Sequence, residues 1–324
     1  MERWRGLEAV PSGWGRCVVT IGVFDGVHRG HQVIIGAAVE RARALGLPSV
    51  VLTFDPHPSE VVRPGSHPPL LSGQHLKAQL LEGLGVDVMC VLPFTLDFSR
   101  LAPDDFVHAV LVERLHARVV LVGENFRYGQ RAAGDVAALA AAGRRFGFSV
   151  EGVPLQGSEE TTWSSTYVRS CVDAGDVEGA AAALGRDHRI DGVVVRGDQR
   201  GRDLGYPTAN LQPLAHSAVP ADGVYAGRLI RGPGPAGAAA SSAVALPAAI
   251  SIGTNPTFAG RERRVEAYVL DAEPGLDLYG EQVGLSFAAR LRETVRFDGV
   301  EPLLVQMAVD VQRTREVLGA HPSG

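Results

Sequence analysis

The sequence predicts an α/β fold in two parts: a doubly wound parallel sheet, followed by a small antiparallel β-barrel with a covering helix. Two observations predict it. In the first half, short runs of β-branched residues alternate with Ala- and Leu-rich stretches of helical periodicity. In the second half, strand-like runs follow one another with Gly and Pro between them and little helix. We place the boundary near Arg186, which gives segments 1–185 and 186–324.

The first half contains five apolar runs typical of buried strands, with four helical patterns between them. Such a series is typical of a parallel sheet covered on both faces, which binds ligands at the carboxyl ends of its strands. We therefore expect a nucleotide-binding architecture. The runs are CVVTIGVF (17–24), SVVLTFD (49–55), VDVMCVLPF (86–94), ARVVLVGE (117–124) and FSVEGVPL (148–155), and the helical patterns are His31–Leu45, Leu76–Leu84, Asp104–Leu115 and Asp135–Phe146.

The second half begins after two short helical segments, Ser165–Ala174 and Val177–Leu184. The run 232–249, GPGPAGAAASSAVALPAA, is low in complexity and is predicted to be a mobile hairpin loop without a core role. Glu301–Leu318 is amphipathic and is predicted to be the covering helix. The strand-like runs are RIDGVVVRG, GVYAGRLI, AAISIG, RRVEAYVLD and QVGLSFAARL.

Composition narrows the class of protein. A hydrophobic content of 45% and a charged content of 21% over 324 residues are typical of a globular chain. The net charge of −5 argues against a general nucleic-acid binder. No stretch approaches the ~20 apolar residues of a membrane span, and the first residues lack an apolar signal core, so we expect a cytoplasmic protein without a membrane partner. Cys17 and Cys90 lie in apolar runs and are expected to be small core residues, and no Cys/His pattern suggests zinc.

The densest motif is GVFDGVHRGH, from Gly22 to His31, directly after the first predicted strand. Its glycines allow the backbone to turn tightly and to approach a phosphate closely. His28 and His31 are spaced i, i+3, so both rings point the same way from the first turn of a helix, where free N–H groups favour an anion. A histidine pair alone also fits an ordinary helix start. The strand, the glycines and the pair together favour a phosphate site.

This stretch resembles the HxGH signature of the nucleotidylyl-transferase superfamily, in the form found in prokaryotic bifunctional riboflavin kinase/FMN adenylyltransferases. The resemblance continues through FDPHP (54–58), GENFRYGQRAAGD (123–135) and WSSTYVR (163–169). It implies that the phosphate of FMN attacks the α-phosphorus of ATP and that pyrophosphate leaves. No protein nucleophile is required, because positioning and charge stabilisation supply the rate.

The resemblance also implies roles for particular residues. His28 and His31 are expected to be catalytic by holding the ATP phosphates, and Asn125 to help place the flavin or the phosphates. Asp55 and His57 remain open between a structural turn and a site role. The remaining ATP- or phosphate-binding residues expected in this half are Gly22, Phe24 and Gly30, with Ser165, Thr166 and Arg169 on the leaving pyrophosphate, where a simple helix cap is the alternative.

The second dense motif is GDQRGRDLGYPTANL, residues 197–211. Pro207 fixes an extended start, after which Thr208 and Asn210 project to the same side of a strand. Two neutral oxygens there suit a Mg²⁺ ion that keeps several waters and binds ATP phosphates. Gly201 and Gly205 allow backbone amides to wrap those phosphates. Composition alone would equally fit a turn followed by a strand.

The string is similar to the GRxLGFPTANL signature of riboflavin kinases, with Tyr206 in place of the commoner Phe; SIGTNPTF (251–258) and RRVEAYVLD (263–271) match as well. The resemblance implies that Glu266 is the base near the ribityl 5′-hydroxyl. The sequence departs from the family at Tyr268, where His is commoner. Arg292 and Phe297 are expected in a loop that closes over the flavin.

The resemblance covers roughly residues 17 to 318. It implies an enzyme that converts riboflavin to FMN and FMN to FAD, with ATP as co-substrate and Mg²⁺ as cofactor, acting as a monomer or weak homo-oligomer. A nucleotidylyl-transferase for another phosphorylated cofactor precursor, such as phosphopantetheine, is one alternative, against which the PTAN-containing half argues. A non-catalytic flavin-binding regulator is the other. The presence of His28, His31, Asn210 and Glu266 argues against it.

Overall fold

The computed structural model describes residues 1–154, 163–197, 205–232, 244–257, 260–273 and 275–320. The chain divides into two compact units. The first unit comprises Met1–Pro68 and Gln74–Ser164, and the second comprises Pro69–Gly73 and Ser165–Gly324. Each unit has its own apolar core.

The first unit is built on a six-stranded parallel sheet. Its strands are β1 (Glu2–Arg5), β2 (Cys17–Ile21), β3 (Ser49–Asp55), β4 (Val88–Pro93), β5 (Ala117–Gly123) and β6 (Ser149–Val153), in the order β1-β4-β3-β2-β5-β6. All five predicted strands are present. Four of them are mostly buried, as apolar runs covered on both faces should be, whereas β6 lies at the sheet edge and has no buried residue. The sequence patterns do not indicate the edge strand β1, which contributes one buried apolar residue, Trp4, in four.

Helices cover both faces of this sheet. The helices of this unit are α1 (Arg29–Leu45), α2 (Pro58–Val62), α3 (Gln74–Gly83), α4 (Pro103–Phe106) and α5 (Val136–Phe146), of which α2 has no buried residue. On one face, Ile35 and Leu81 pack against the sheet; on the other, Leu111 and Leu139 do so. This confirms the doubly wound fold. The helix expected over Asp104–Leu115 is instead α4 continued by a π-helical segment, Val107–Val112.

Cys17 and Cys90 lie in the core of the first unit, as expected. Both are fully buried, and burial raises the pKa of each thiol to about 12. The Cys17 thiol donates to the carbonyl oxygen of Leu115 at 3.0 Å. These thiols therefore act as packing groups.

Over its described residues, the second unit contains two helices, a closed barrel and a C-terminal helix. Its core includes Tyr225, Ile250, Leu285 and Phe287, and also Val177 from the second of the two helices. This confirms the predicted antiparallel barrel with a covering helix. The elements are α6 (Ser165–Ala174), α7 (Val177–Leu184), β7 (His188–Val195), β8 (Thr208–Pro213), β9 (Gly223–Arg231), β10 (Val244–Thr257), β11 (Gly260–Val269), β12 (Gln282–Arg292) and α8 (Val300–Ala320), with barrel order β10-β11-β8-β7-β12-β9.

The run 232–249 differs from its prediction over the part that the structure describes. Residues 244–249 are not a loop but the first part of β10, and Val244 pairs with Arg231 of β9. Ala248 is fully buried in the barrel core, and Leu246 packs against that core. The prediction of a coreless loop is therefore wrong here, because a small apolar residue fits where barrel strands pack closely. Residues 233–243 lie outside the described residues.

Candidate active sites

The loop between β2 and α1 has an unusual backbone. Phe24, Gly26 and Val27 adopt left-handed conformations, with φ of 48°, 79° and 41°. The N–H of Gly22 donates to the carbonyl oxygen of Leu52 at 3.1 Å, which ties the loop start to β3. Phe24 is buried in the core, where its ring meets that of His31 edge-on with centroids 5.2 Å apart. Phe24 therefore packs between the loop and the core, and its contact with a nucleotide stays a prediction.

The structure brings the predicted histidine pair together at the start of α1. His28 is the N-cap residue, and its Nδ1 accepts a hydrogen bond from the backbone N–H of His31 at 3.3 Å. The two rings stack with centroids 3.6 Å apart. Because Nδ1 is an acceptor, the proton of a neutral His28 ring is on Nε2, which is then a donor. This arrangement can present an N–H to an anion at a helix N-terminus.

The glycine within the histidine motif lies in a closely packed place. A Cβ on Gly30 would lie 3.2 Å from the ring of His28 and 3.3 Å from the carbonyl oxygen of Trp163. Gly30 thus leaves space for the His28 ring and for the chain that passes behind it. The role of Gly30 in phosphate binding stays a prediction.

A cavity of about 890 Å³ opens beside this loop in the first unit. Gly22 and Val23 line it at the end of β2, and the chain after β3, β4 and β5 supplies the rest. Six aromatic rings form a chain along it, with neighbouring centroids 5.5 to 6.1 Å apart. The rings belong to Phe54, Phe94, Phe98, Phe106, Phe126 and Tyr128, and four arginines also line the cavity: Arg63, Arg100, Arg127 and Arg131.

This lining suits a planar aromatic ligand that carries negative charge, since aromatic faces stack on planar rings and guanidinium groups bind phosphate. The cavity volume is in the range of small-molecule sites. The sequence patterns do not single out these rings. Phe54, Phe126 and Tyr128 fall within stretches of the resemblance, whereas Phe98 and Phe106 carry no motif signal.

Three other predicted or open positions lie near this end of the sheet. Asn125 is exposed in the turn after β5, next to the cavity-lining Phe126. Asp55 pairs with Arg5 at 3.4 Å. His57 caps α2, its Nδ1 accepting from the N–H of Ser59 at 3.1 Å. Asp55 and His57 therefore both make structural contacts, and a role for Asn125 stays a prediction.

Ser165, Thr166 and Arg169 lie on the first turns of α6, in the second unit. Thr166 is exposed, and Arg169 donates through Nε to the carbonyl oxygen of Pro69 at 2.7 Å. Their role in holding pyrophosphate stays a prediction.

The second candidate site lies on the outer face of the barrel. Asn210 of β8 is directly opposite Glu266 of β11, and Thr208 is opposite Tyr268. Opposed residues in an antiparallel pair share a face. Val265 and its alternate neighbours fill the core, so these four side chains point away from it. The Thr208 hydroxyl lies 3.5 Å from Oε2 of Glu266. The hydroxyl, amide and carboxylate oxygens on this face are the donor types that Mg²⁺ prefers, so the residues present fit that ion.

Glycines shape this face as well. A Cβ on Gly197 would collide with the amide of Asn210, so the glycine lets that side chain lie against the backbone. Gly205 adopts φ 82° in an exposed turn before β8, a conformation that favours glycine. The predicted phosphate-binding Gly201 lies outside the described residues.

Comparison with known proteins also separates the two halves of the chain. A model of FAD synthetase matches residues 10–167, and a model of riboflavin kinase matches residues 184–318. Bifunctional riboflavin kinase/FMN adenylyltransferases from three bacteria are similar along nearly their whole length. The Escherichia coli K12 protein is 34% identical over 94% of this chain and 93% of its own. The Listeria monocytogenes protein is 37% identical over 92% of this chain and 91% of its own. The Pseudomonas fluorescens protein is 36% identical over 97% of this chain and 97% of its own.

The chain belongs to the bifunctional riboflavin kinase/FMN adenylyltransferase family.

A crystal structure from Streptococcus pneumoniae, described as that of a macrolide-efflux protein, superposes with a TM-score of 0.84. It is 30% identical and covers 97% of this chain and 99% of its own. Within the described residues of the present chain, no helix has both the length and the apolar character needed to cross a membrane.

The two positions that depart from the signatures of riboflavin kinases are in contact. The rings of Tyr206 and Tyr268 meet edge-on, with centroids 5.1 Å apart. Each phenol thus packs against the other beside Thr208. Tyr206 and Tyr268 therefore depart from the signatures together, and the two rings form one wall of the face that carries Glu266.

The predicted flavin contacts Arg292 and Phe297 have partners within the second unit. Arg292 makes a two-pronged ion pair with Asp310 of α8, with N–O distances of 2.7 to 3.1 Å. Its guanidinium also lies over the ring of Phe297 at 5.8 Å. Arg292 therefore fixes α8 and the chain after β12, and direct contact with flavin stays a prediction.

Proposed function

We propose that this chain makes FAD from riboflavin in two ATP-consuming steps, each catalysed by one of the two units. The observation that carries the proposal is the presence, in one chain, of a stacked HxGH pair beside an aromatic cavity and of a barrel face with Thr208, Asn210 and Glu266. The first arrangement suits adenylyl transfer to a phosphorylated flavin. The second suits phosphorylation of a hydroxyl.

In the kinase step, Glu266 takes the proton of the ribityl 5′-hydroxyl while that oxygen attacks the γ-phosphorus of ATP. The ADP oxygen is the leaving group, and FMN is the product. Thr208 and Asn210 would hold Mg²⁺, which neutralises phosphate charge when it is bound. The half-buried position of Glu266 opposite Asn210 supports this assignment, because it holds the carboxylate at a fixed place on the face.

In the adenylyl-transfer step, a phosphate oxygen of FMN attacks the α-phosphorus of ATP and pyrophosphate leaves. We assign the isoalloxazine ring to the aromatic cavity and the phosphates to the start of α1. There the Nε2–H of His28, with His31 stacked on it, donates to oxygens on which charge develops. The arginines of the cavity supply a favourable field for the flavin phosphate. The cytoplasmic location and the monomeric or weakly oligomeric state expected from the sequence remain predictions.

The test is a time course with the purified chain, riboflavin, ATP and MgCl₂, in which riboflavin, FMN and FAD are separated by chromatography. FMN should appear first and FAD second, and EDTA should stop both. A matched reaction that starts from FMN should yield FAD without a lag. A flavin-binding regulator would bind riboflavin and form no product. A transferase for another precursor would make no FAD from FMN.

A further inference from the structure

The chain contains a single lysine, Lys77, among its 31 basic residues; the other thirty are arginines. Lys77 lies on α3 and is 4% exposed. Lysine and arginine are not interchangeable in such a place, because the lysine amino group is compact whereas the guanidinium group is broad and planar. A buried charged side chain is costly unless it is paired and hydrogen-bonded. The contacts of Lys77 therefore indicate what it does.

The Lys77 amino group donates to the carbonyl oxygen of Val23 at 2.8 Å. The hydroxyl of Thr53 donates to the same oxygen at 3.0 Å. Val23 lines the aromatic cavity. Its carbonyl oxygen therefore accepts hydrogen bonds from both α3 and β3, at the edge of that cavity. The buried carboxylate of Asp25 acts on the same amino group: burial lowers the pKa of Lys77, and the charges of Asp25 and Asp55 partly oppose this change.

The loop that Lys77 contacts needs such support. Val27 has a φ of 41°, and a β-branched residue in the left-handed region is strained. Strained backbone persists only where surrounding contacts fix it. The carbonyl of Val23 is held at one end of the loop by Lys77 and Thr53, and the carbonyl of Val27 is held at the other end by Gln32 Nε2 at 2.9 Å. His28 follows directly, so the position of its ring depends on both anchors.

We propose that Lys77 is a positioning residue for adenylyl transfer: its amino group anchors the Val23 carbonyl and thereby fixes His28 relative to the cavity wall. The inference rests on the proposed function of the first unit. It assigns to the one lysine of the chain a role that acts through His28 and the loop, without contact to substrate.

The experiment uses the full chain with Lys77→Met, which keeps the length of the side chain and removes the donor. The kcat of FMN conversion to FAD should fall about 10- to 100-fold, because small misplacements of catalytic groups have effects of that size. The KM for FMN should change little, since most of the cavity wall comes from other segments. Riboflavin conversion to FMN, measured on the same preparation, should be unchanged and shows that the second unit is folded.

Leu81→Met is the matched control. Leu81 is buried one turn further along α3, in the cluster that also contains Phe24 and Val27 of the loop. The substitution therefore alters packing beside the same loop but leaves the hydrogen bond from Lys77 to Val23 in place. Its FAD formation should stay within about twofold of wild type. A folded Lys77→Met chain with a kcat within twofold of wild type overturns the inference. A wild-type chain that makes no FAD contradicts the proposed adenylyl transfer itself.

A second measurement decides the question if Lys77→Met does not fold. Wild-type chain labelled with lysine carrying ¹³C only at Cε gives one side-chain NMR signal, because Lys77 is the single lysine. Addition of ATP with MgCl₂ should shift that signal. Phosphate bound at the start of α1 changes the loop to which the Lys77 amino group is hydrogen-bonded. A signal that ATP leaves in place overturns the inference.

Discussion

Glu266 is the residue whose replacement should separate the two reactions most cleanly. Its carboxylate lies on the barrel face opposite Asn210, whereas the histidine pair lies in the other unit. Glu266→Gln keeps the shape and removes the base. Formation of FMN from riboflavin should fall about 10²- to 10⁴-fold. Conversion of FMN to FAD should continue, and chromatography of both reactions measures the difference.

Glu281→Gln makes the same chemical change elsewhere on the barrel. Glu281 pairs with Arg231 at a partly exposed position, and its loss should leave the kinase rate near wild type. A Glu266→Gln chain that phosphorylates riboflavin as fast as this control would remove Glu266 from the role of base.

His28 combines two functions that one substitution can separate. As the N-cap of α1 it accepts a hydrogen bond, and as a proposed phosphate ligand it donates one. His28→Asn keeps capping ability, while His28→Ala loses it at a cost of about 1 kcal/mol in stability. Both should reduce FAD formation about 10²- to 10³-fold, because both lack the ring donor. If the His28→Asn variant forms FAD at the wild-type rate, His28 acts as a helix cap and not as a phosphate ligand.

At the scale of elements, the ion pair between Arg292 and Asp310 joins β12 to α8. The Arg292 side chain is 18% exposed and that of Asp310 5%, so the pair is largely removed from water. Asp310→Asn leaves the guanidinium without its partner charge and should destabilise the chain by about 3–5 kcal/mol. Thermal unfolding measures this loss.

The pair between Arg315 and Asp271 provides the comparison, since it joins the same helix to the chain after β11 but is exposed. Asp271→Asn should change stability by less than about 1 kcal/mol. Equal effects of the two substitutions would show that Arg292 does not depend on Asp310.

At the scale of the whole molecule, the contacts of α7 decide where the second unit can be cut. Val177 is fully buried in the barrel core, and Ala180, Ala183 and Leu184 are buried beside it. A fragment from Ser165 keeps these contacts. A fragment from Gly185, which begins near the predicted boundary at Arg186, loses at least the burial of Val177, about 1.5–3 kcal/mol.

The Ser165 fragment should therefore fold, convert riboflavin to FMN and make no FAD. The Gly185 fragment should unfold at a lower temperature and give less FMN. Equal melting temperatures and kinase rates for the two fragments would contradict a stabilising role for α7, and would favour the boundary near Arg186.

The features that the sequence predicts correctly depend on neighbours along the chain. Apolar runs become strands of the parallel sheet whose ends lie no more than three residues from the predicted ends, because burial of apolar residues favours strands wherever they pair. The pair His28 and His31 meets because an i, i+3 spacing at a helix start brings rings together. Thr208 and Asn210 share a face because strand side chains alternate.

The features that the sequence patterns miss depend on distant segments. The aromatic cavity collects rings from the ends of several parallel strands, and no local pattern shows that Phe98 and Phe106 meet there. Residues 244–249 read as a low-complexity loop, but pairing with β9 makes them a strand. Strand pairing over long sequence separations is set by packing, which intrinsic propensity does not reveal.

The sequence by itself determined the two-part α/β and barrel fold, the family, and the residue types at each proposed site, since motifs and periodicity are local properties. Only the tertiary structure decided which groups act together. Asn210 stands opposite Glu266 through barrel register, Arg292 is paired with Asp310, and Lys77 lies beneath the loop that leads to His28. Those partners are separated along the chain, and they meet because the packing of each core brings their strands and helices together.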